Sequence, residues 1–284
     1  MRLLTFDTGA GSRVGLVNDA GIVDLSARMG VGSLRQMIAD GQIGAAAQYS
    51  GEAPDHGLDD IRYLPVIPDP VHIFCAGVNY ADHLQEAIDA GVPRSKTEHP
   101  ALFLRFADCQ VGHREPLLRS PKVTQLDYEC ELAVIIGKPG RYIANEDALN
   151  HVAGYSCYND ASARDWQFHT SQVTPGKNFF GTGGFGPWMV TADEIEDPHN
   201  LNISTRLNGE TLQDANTRDL IFNINALIAY VSNIVELQPG DVIASGTPAG
   251  VGFARDPQIF MKPGDICEIE VERVGTLVNE IAEG

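Results

Sequence analysis

The sequence has few cysteines, and none stands in a pattern typical of a metal site or a disulfide framework. Five occur in 284 residues, an odd number, and no two form a CxxC motif. Scattered cysteines of this kind indicate buried free thiols in a reducing cytoplasm. The five are Cys75, Cys109, Cys130, Cys157 and Cys267.

Long hydrophobic runs and an excess of basic residues are also missing. No apolar run approaches the ~18 residues of a membrane span, and the start MRLLTFDTGAG lacks the apolar core of a signal peptide. Lysine and arginine number 20 against 38 aspartates and glutamates, a net charge of −18, which argues against nucleic acid and anionic membranes as partners. We therefore expect a cytoplasmic protein that acts on a small molecule. An acidic substrate is compatible with this charge, because a local lysine, arginine or metal ion inverts the field.

The motifs of several common enzyme classes are absent. The chain has no GxSxG, HExxH or Walker A motif, so a serine hydrolase has no support. The segment GTGGFG at 181–186 matches the dinucleotide fingerprint, but a strand pattern at 187–190 follows it where a helix is required. Arg206 stands where that fingerprint needs an acidic residue, about 20 positions on. We reject dinucleotide binding and expect these glycines to permit tight turns beside the site.

The strand, helix and proline patterns predict two domains. The first is a small N-terminal α/β domain with a proline-rich linker at 1–68, and the second is a catalytic domain at 69–284. The sequence NDAG at 18–21 lies between two apolar runs and predicts a hairpin. Ser33 is positioned to cap a short helix at 33–40. The stretch LPVIPDP has three prolines and predicts an extended link, because proline cannot join a central strand.

Strand patterns dominate residues 69–284. Asn-Gly at 208–209 is a strong two-residue hairpin signal. One helix is predicted at 81–90, ended by Gly91 and Pro93, and another at about 218–235, where apolar residues recur at 3-4-3-4 spacing. Strands with segregated helices indicate an α+β, mainly β fold. The predicted strands are VHIFCAGV, LAVIIG, AGYSCYND, NISTRLNGETLQ, DVIASGT and CEIEVERVGTLVNEI.

The strand pattern LDYECELAV at 126–134 carries three acids on one face. Because successive side chains alternate, Asp127, Glu129 and Glu131 share that face. Like charges in a row repel unless water or a cation intervenes, so the acids form either a solvated face or a metal site. Asp160 ends another predicted strand, AGYSCYND, and offers a further carboxylate. Such hard oxygen ligands favour Mg²⁺, with Mn²⁺ or Ca²⁺ as alternatives, over zinc. The opposite, core face would hold Tyr128, Cys130, Leu132 and Val134.

A possible general base lies in GVNYADHLQEA. His83 and Glu86 are three residues apart and so face the same way on the predicted helix. A carboxylate beside an imidazole fixes its tautomer and raises its basicity, which suits a base acting on water. Further along, Arg164 and Gln167 follow Asp160 closely, and Lys177 lies in a glycine-rich loop where it could stabilise an oxyanion. The alternative for each of these residues is a solvated surface group.

Six separated motifs resemble, in their order, the fumarylacetoacetate hydrolase family. They are GVNYADHLQE, ALFLRF, DYECELAVIIGK, YNDASARDWQ, GKNF and SGTPAGVG, within about residues 70–280. The resemblance implies a mixed β-sandwich roll as the catalytic domain and a homodimer. It implies Mg²⁺, often replaceable by Mn²⁺, bound by Glu129, Glu131 and Asp160. It also implies that His83 and Glu86 form a water-activating dyad.

The same resemblance implies the substrate contacts. Gln167 and Lys177 would contact the substrate and its oxyanion as catalytic residues. Arg164, which would also hold the loop of the third acid, and Thr247, which would contact a carboxylate, are expected to bind substrate. Arg105 stands where the family commonly has lysine, and we expect it to bind a remote part of the substrate.

The reaction implied by the resemblance is hydrolysis of the C3–C4 bond of a 2,4-dioxo acid to pyruvate and a carboxylic acid. His83 would take a proton from the attacking water, and Lys177 with Gln167 would stabilise the oxyanion at C4. The GTGGFGPW loop resembles that of members acting on sugar acids, so 2,4-didehydro-3-deoxy-L-rhamnonate, giving pyruvate and L-lactate, is the expected substrate. The alternatives are an oxaloacetate decarboxylase, a ureidoglycolate lyase or hydroxyheptadienedioate isomerase, and a catalytically inactive metal-binding or scaffold protein.

Overall fold

The computed structural model describes residues 1–92, 95 and 97–284. Strands outnumber helices, and within the described residues no helix is both long and apolar enough to cross a bilayer. The strands are β1 (Arg2–Asp7), β2 (Ser12–Asn18), β3 (Gly21–Asp24), β4 (Arg62–Tyr63), β5 (Ile73–Gly77), β6 (Ala101–Leu104), β7 (Gln110–Val111), β8 (Leu117–Arg119), β9 (Leu126–Asp127), β10 (Cys130–Ile136), β11 (Val152–Asn159), β12 (Ser162–Ala163), β13 (Gly183–Thr191), β14 (Asn202–Leu207), β15 (Glu210–Asn216), β16 (Val242–Ala244), β17 (Ile266–Val271) and β18 (Gly275–Glu283). The α-helices are α1 (Leu25–Met29), α2 (Leu34–Ala39), α3 (Ala81–Asp89), α4 (Arg164–Gln167), α5 (Thr174–Lys177) and α6 (Ile224–Ile234). Short 3₁₀ helices lie at Ile43–Tyr49, Ala107–Cys109, Asn145–His151, Ala192–Glu194, Thr217–Asp219 and Gly252–Ala254.

Two mixed sheets form the framework. The larger has the order β3-β2-β1-β13-β11-β10-β16-β5-β6, with β4 beside β1 and β7 beside β13. The smaller has the order β15-β14-β17-β18-β8, and β9 pairs separately with β12. The α+β, mainly β fold predicted from the sequence is confirmed.

Both faces of strand β10, in the larger sheet, are buried. On one face, Leu132 and Val134 of β10 pack in one core cluster with Ile269 of the smaller sheet. On the other face, Ala133 packs in a second cluster with Leu34 of α2. Strand β10 therefore has no solvent face, and a polar residue in it must find partners inside the protein.

The N-terminal segment extends the larger sheet, because β1 pairs with β13. The predicted hairpin at 18–21 is confirmed, because β2 and β3 pair and Asn18 at the end of β2 lies opposite Gly21 at the start of β3. The predicted cap is also confirmed, since the Ser33 hydroxyl accepts a hydrogen bond from the Gln36 amide at 3.0 Å. The division into domains at residue 68 stays a prediction.

Each predicted strand overlaps at least one observed strand, and the five cysteines are buried free thiols as expected. The hairpin at 208–209 joins β14 to β15, with positive φ angles of 52° at Asn208 and 82° at Gly209. Helix α3 matches the prediction at 81–90. Of its two predicted stops, Gly91 follows the helix with a φ of 82°, and Pro93 lies outside the described residues.

The second helix was predicted to start too early. Residues 218–223 lie outside α6, whose first turn is capped by the side chain of Asn223. The amide of Phe222 instead donates to Oδ1 of Asn79 at 2.8 Å, and Asn79 returns a bond to the Phe222 carbonyl at 2.9 Å. This contact is remote in sequence, so periodicity could not predict it. Ile234, at the end of the apolar stripe, is exposed.

One buried histidine lies between the N-terminal segment and the smaller sheet. The ring of His113 meets the edge of Tyr63 at 4.8 Å between centroids, and its Nδ1 accepts a hydrogen bond from the Val278 amide at 3.1 Å. Burial, and to a lesser extent the charge of Arg114, lowers the pKa of His113 to about 4. The folded protein therefore holds this ring neutral at pH values where the unfolded chain protonates it.

Candidate active site

Three carboxylates meet where β10 begins and β11 ends. Glu131 lies in β10, Glu129 immediately precedes the first residue of that strand, and Asp160 immediately follows β11. The Asp160 amide donates to the Glu129 carbonyl at 3.0 Å, which continues the pairing of the two strands. One oxygen from each carboxylate lies within 4.8 Å of the others, and all three residues are buried. The alternative of a solvated strand face is therefore wrong.

The expected strand at 126–134 is interrupted at the site. The amide of Tyr128 donates to the Asp127 carboxylate at 2.9 Å, and the amide of Glu129 donates to the side-chain oxygen of Asn159 at 3.1 Å. Side-chain oxygens thus accept from two backbone amides that, in a continuous strand, would donate to the carbonyls of a neighbouring strand. The interruption places Glu129 at the end of the sheet, beside Asp160.

Three buried cations neutralise part of this charge. The Lys177 ammonium bridges Glu129 and Asp160, with 2.7 Å from Nζ to an oxygen of each. Arg164 contacts the other oxygen of Glu129 at 2.7 Å, and Arg105 contacts the other oxygen of Asp160 at 2.6 Å. Burial opposes the ionisation of Glu129, but the charges of Lys177 and Arg164 outweigh it and lower the pKa of Glu129 to about 2. Burial likewise opposes the charge of Lys177, yet Asp160 and Glu129 raise the pKa of its ammonium above the usual value.

Glu131 lacks a direct cationic partner. Among the described residues, its only hydrogen bond comes from the Gly246 amide, which donates to Oε2 at 2.9 Å, and no cationic side chain forms a salt bridge with it. Burial first, and then the nearby charges of Asp160 and Glu129, raise the pKa of Glu131 well above its ordinary value. A buried, uncompensated carboxylate beside two others, with oxygen donors alone, fits a hard divalent cation such as Mg²⁺ or Mn²⁺.

Asp127, expected either to support the metal ligands or to be solvated, is fully buried. Its carboxylate accepts hydrogen bonds from the amides of Gly252 and Phe253 at 2.7 and 3.0 Å and from Arg164 Nε at 2.8 Å. Arg164 in turn contacts Glu129. Asp127 therefore ties the loop that follows β16 to the acidic cluster without joining the cluster itself.

The predicted dyad is formed on α3. His83 Nδ1 lies 3.0 Å from Glu86 Oε2, and the other oxygen of Glu86 accepts a hydrogen bond from the Gly250 amide at 2.8 Å. With Nδ1–H donating to this carboxylate, Nε2 is the nitrogen left to act as a base. His83 is buried, yet it lines the same cavity as the acidic cluster.

That cavity has a volume of about 580 Å³. Its polar wall carries most of the predicted site residues, and the rest of its lining is largely apolar. The predicted site residues on this wall are His83, Glu129, Glu131, Arg164, Gln167, Lys177 and Thr247, and further polar residues of the lining are Ser95, Thr97, Ser171, Gln172 and Thr174. The apolar residues include Leu84, Phe103, Phe106, Phe168, Phe222 and Phe253.

Arg105 is the predicted substrate contact that the structure places elsewhere. Its guanidinium is buried behind Asp160, bonded also to the Ala161 carbonyl at 3.1 Å and the Thr182 hydroxyl at 3.0 Å. It does not line the cavity described above. Its position suits holding Asp160 in place.

Sequence reasoning missed several residues that build the site. Asn159 binds the Glu129 amide, and its position beside Asp160 is the only hint that the sequence offers. Gly246 and Gly250 donate backbone amides to Glu131 and Glu86. Gln213 of β15 reaches Thr247 from the other sheet, and no local pattern marks it.

Comparisons with known proteins find similarity over nearly the whole chain. The family model described as fumarylacetoacetate (FAA) hydrolase C-terminal matches residues 72–282. A mitochondrial oxaloacetate tautomerase of Bos taurus is 38% identical over 293 residues, covering 99% of this chain and 91% of the relative. The structure of a fumarylacetoacetate hydrolase from Exiguobacterium antarcticum is 34% identical with a TM-score of 0.86. That of a maleylpyruvate hydrolase from a Sphingobium species, in complex with manganese(II) and pyruvate, is 31% identical with a TM-score of 0.83. Both structural matches cover 100% of both chains.

Proposed function

Because this chain belongs to the fumarylacetoacetate hydrolase family, we propose that it is a metal-dependent enzyme that interconverts the keto and enol forms of oxaloacetate. The Bos taurus relative, matched over 99% of this chain, is named for that activity. The observation that carries the proposal is a histidine base, His83, on the wall of one cavity with Glu129 and Glu131, whose carboxylates lie within 4.8 Å of that of Asp160. Enolisation of a 2-oxo acid needs a base near C3 and positive charge near the C2 oxygen.

The acidic cluster is the proposed metal site. Glu129, Glu131 and Asp160 would hold the cation, with Mg²⁺ expected and Mn²⁺ as a substitute. When bound, the cation supplies Lewis acidity toward the oxygen on which charge develops during enolisation. Lys177, already an ammonium, adds a second positive group at this end of the cavity.

His83 would move the proton. Its Nε2 takes a proton from C3 of keto oxaloacetate, leaving the electron pair delocalised onto the C2 oxygen. The resulting imidazolium is stabilised by Glu86, whose carboxylate lies 3.0 Å from Nδ1. Returning the proton to the C2 oxygen gives the enol, and returning it to C3 restores the ketone. No water enters this reaction and no carbon–carbon bond breaks.

The cavity also offers groups for the two carboxylates of oxaloacetate. Arg164 Nη1 donates to Gln167 Oε1 at 2.8 Å, which leaves the amide NH₂ of Gln167 as the group available to substrate. Thr247, on the loop after β16, contributes a hydroxyl. We propose that Gln167 and Thr247 bind substrate carboxylates, with Arg164 fixing the orientation of Gln167.

The test follows freshly dissolved enol oxaloacetate by its ultraviolet absorbance, with Mg²⁺ and then with excess EDTA. Each assay is paired with Mg²⁺ alone and with the His83→Ala variant, because free Mg²⁺ also catalyses reactions of oxaloacetate. The proposal expects faster loss of enol that requires both the cation and His83 and that releases no pyruvate. Release of pyruvate matching the oxaloacetate consumed would assign a decarboxylase instead. Equal rates with and without the protein would overturn the proposal.

Hydrolysis of a 2,4-dioxo acid is the second candidate, and the size of the cavity favours it. A volume of about 580 Å³ with apolar walls exceeds the needs of oxaloacetate, and the Sphingobium relative is a maleylpyruvate hydrolase solved with pyruvate. In this reaction His83 would take a proton from water, hydroxide would add to C4, and Lys177 with Gln167 would stabilise the oxyanion. The C3–C4 bond then breaks and the electron pair passes to the enolate of pyruvate.

Pyruvate release from a synthetic acylpyruvate, inhibited by EDTA, would support this second activity. The specific substrate 2,4-didehydro-3-deoxy-L-rhamnonate stays a prediction from the sequence, and L-lactate formed with pyruvate in equal amounts would establish it. The homodimer and the cytoplasmic location also stay predictions. Sedimentation of the purified protein tests the first, and fractionation of the source cells tests the second.

A further inference from the structure

A buried glutamine from the smaller sheet reaches the substrate-facing loop. Gln213, in β15, is almost fully buried. Its Nε2 donates to the Thr247 hydroxyl oxygen and to the Pro248 carbonyl, both at 2.8 Å. Its Oε1 accepts from the Cys130 amide at 3.1 Å and from the Thr205 hydroxyl at 2.7 Å.

These four bonds fix the orientation of the amide. The Cys130 amide facing Oε1 can only donate, and the Pro248 carbonyl facing Nε2 can only accept. A flipped amide would set the Cys130 N–H against Nε2 and the Pro248 carbonyl against Oε1, leaving both buried backbone groups unpaired. The side chain of Gln213 therefore has one stable orientation.

The fixed amide determines the direction of the Thr247 hydroxyl. Since the hydroxyl oxygen accepts from Gln213, its one proton is free to donate elsewhere. Thr247 lines the cavity with the acidic cluster and His83. A hydroxyl held in this way presents a donor, rather than a lone pair, to an anionic ligand in the cavity.

Gln213 also sets where that donor lies relative to the cluster. The Cys130 amide that it binds stands between Glu129 and Glu131 in the chain, while its other end holds Thr247 and Pro248. A side chain added at Gly250 would meet the Leu212 carbonyl at 2.2 Å, so the loop lies directly against β15. One amide thus spans the strand of the acidic cluster and the loop of the carboxylate contact.

We propose that Gln213 is a positioning residue that holds the Thr247 hydroxyl as a hydrogen-bond donor to the carboxylate of a bound 2-oxo acid. This proposal rests on the proposed function only for the chemical class of the ligand, a 2-oxo acid. It predicts that Gln213 and Thr247 act as a unit, so their effects on ligand affinity are not independent.

The experiment measures pyruvate binding to the Mn²⁺-loaded protein by calorimetry, which needs no turnover. Thr247→Val and Gln213→Met should each weaken pyruvate binding about 10- to 100-fold, the range for loss of a hydrogen bond to a charged group. The double variant should bind about as weakly as either single variant. Thr247→Ser keeps the hydroxyl and should restore most of the affinity. Gln213→Asn keeps a polar amide, but its side chain is one methylene shorter and its NH₂ no longer reaches Thr247. It should therefore weaken pyruvate binding even if Gln213→Met does not fold.

The matched control is Thr205→Val, which removes a bond from the other end of the same amide. It should lower thermal stability but change pyruvate affinity less than about 3-fold, because Cys130 still holds the oxygen. The inference is overturned if Thr205→Val weakens pyruvate as much as Gln213→Asn, if the two single effects multiply in the double variant, or if the wild-type protein does not bind pyruvate. Oxaloacetate tautomerisation is assayed separately, so failure of the proposed function is distinguishable from failure of this inference.

Discussion

Replacement of Glu131 by glutamine should change the stability of the protein in opposite directions with and without metal. The carboxylate is buried, receives one backbone hydrogen bond from Gly246, and lies within 4.8 Å of oxygens from Glu129 and Asp160. Glutamine has nearly the same shape and can keep the bond from Gly246 through its oxygen. The substitution therefore removes, with little change in packing, a group that without metal must either keep an unfavourable buried charge or take up a proton.

The magnitude follows from Coulomb's law. Two unit charges 4.8 Å apart repel by about 3 kcal/mol at an effective dielectric constant of about 20. Lys177 offsets part of this repulsion, so Glu131→Gln should raise the free energy of unfolding in EDTA by about 1–2 kcal/mol. At a free-metal concentration 100 times its dissociation constant, the wild-type protein gains about 2.7 kcal/mol. A variant whose metal affinity is at least 100-fold weaker gains about 0.4 kcal/mol or less at that concentration.

Urea unfolding at constant pH, in EDTA and across a Mn²⁺ titration, measures both effects. The curves of stability against metal concentration should cross, with Glu131→Gln higher in EDTA and the wild-type protein higher in saturating metal. The exposed Glu210→Gln is the matched control and should follow the wild-type curve within about 0.5 kcal/mol. If Glu131→Gln is less stable in EDTA, or keeps the full stabilisation by metal, Glu131 is not an uncompensated metal ligand.

Three other variants test separate parts of the account. His83→Ala should lower turnover by about 10²- to 10⁴-fold while stabilisation by Mn²⁺ in urea stays unchanged; loss of that stabilisation would contradict a purely proton-transfer role. Between pH 7.5 and pH 5 the neutral His113, with its pKa lowered from 6.5 to about 4, should remove about 2 kcal/mol from the free energy of unfolding. Proton binding favours the unfolded chain in that window, so His113→Gln should lose correspondingly less on acidification, and an equal loss would contradict the burial argument. Gly176→Ala would place a methyl group 2.5 Å from the backbone of Gln167; it should lower stability by about 1–3 kcal/mol and reduce turnover, and wild-type values for both would contradict the close packing of α4 on α5.

The sequence predicted the site best where the chemistry lies in local patterns. The spacing of His83 and Glu86 on a helix predicted a contact that the structure contains. Strand alternation correctly separated the acids from the core face, because β10 does follow period two. It misjudged the surroundings, since alternation cannot tell a solvent face from a second buried face.

Contacts between remote residues explain what the sequence did not predict. Asn79 binds Phe222 and keeps residues 218–223 out of α6, although their apolar spacing is helical. Arg105 lies behind Asp160 because Thr182, far along the chain, completes its bonds. The amides of Gly246 and Gly250 act through the backbone, which no residue pattern records. These features depend on the folded arrangement of the sheets and loops.

The most direct test of the central claim is the rate of enol oxaloacetate loss, measured for the wild-type protein and His83→Ala in Mg²⁺ and in EDTA. If the proposed function is correct, the loss of enol oxaloacetate is accelerated only by the wild-type protein with Mg²⁺, and no pyruvate is formed. Full acceleration in EDTA, or by His83→Ala with Mg²⁺, would contradict the claim that a histidine base and a metal-binding carboxylate cluster act together on one substrate.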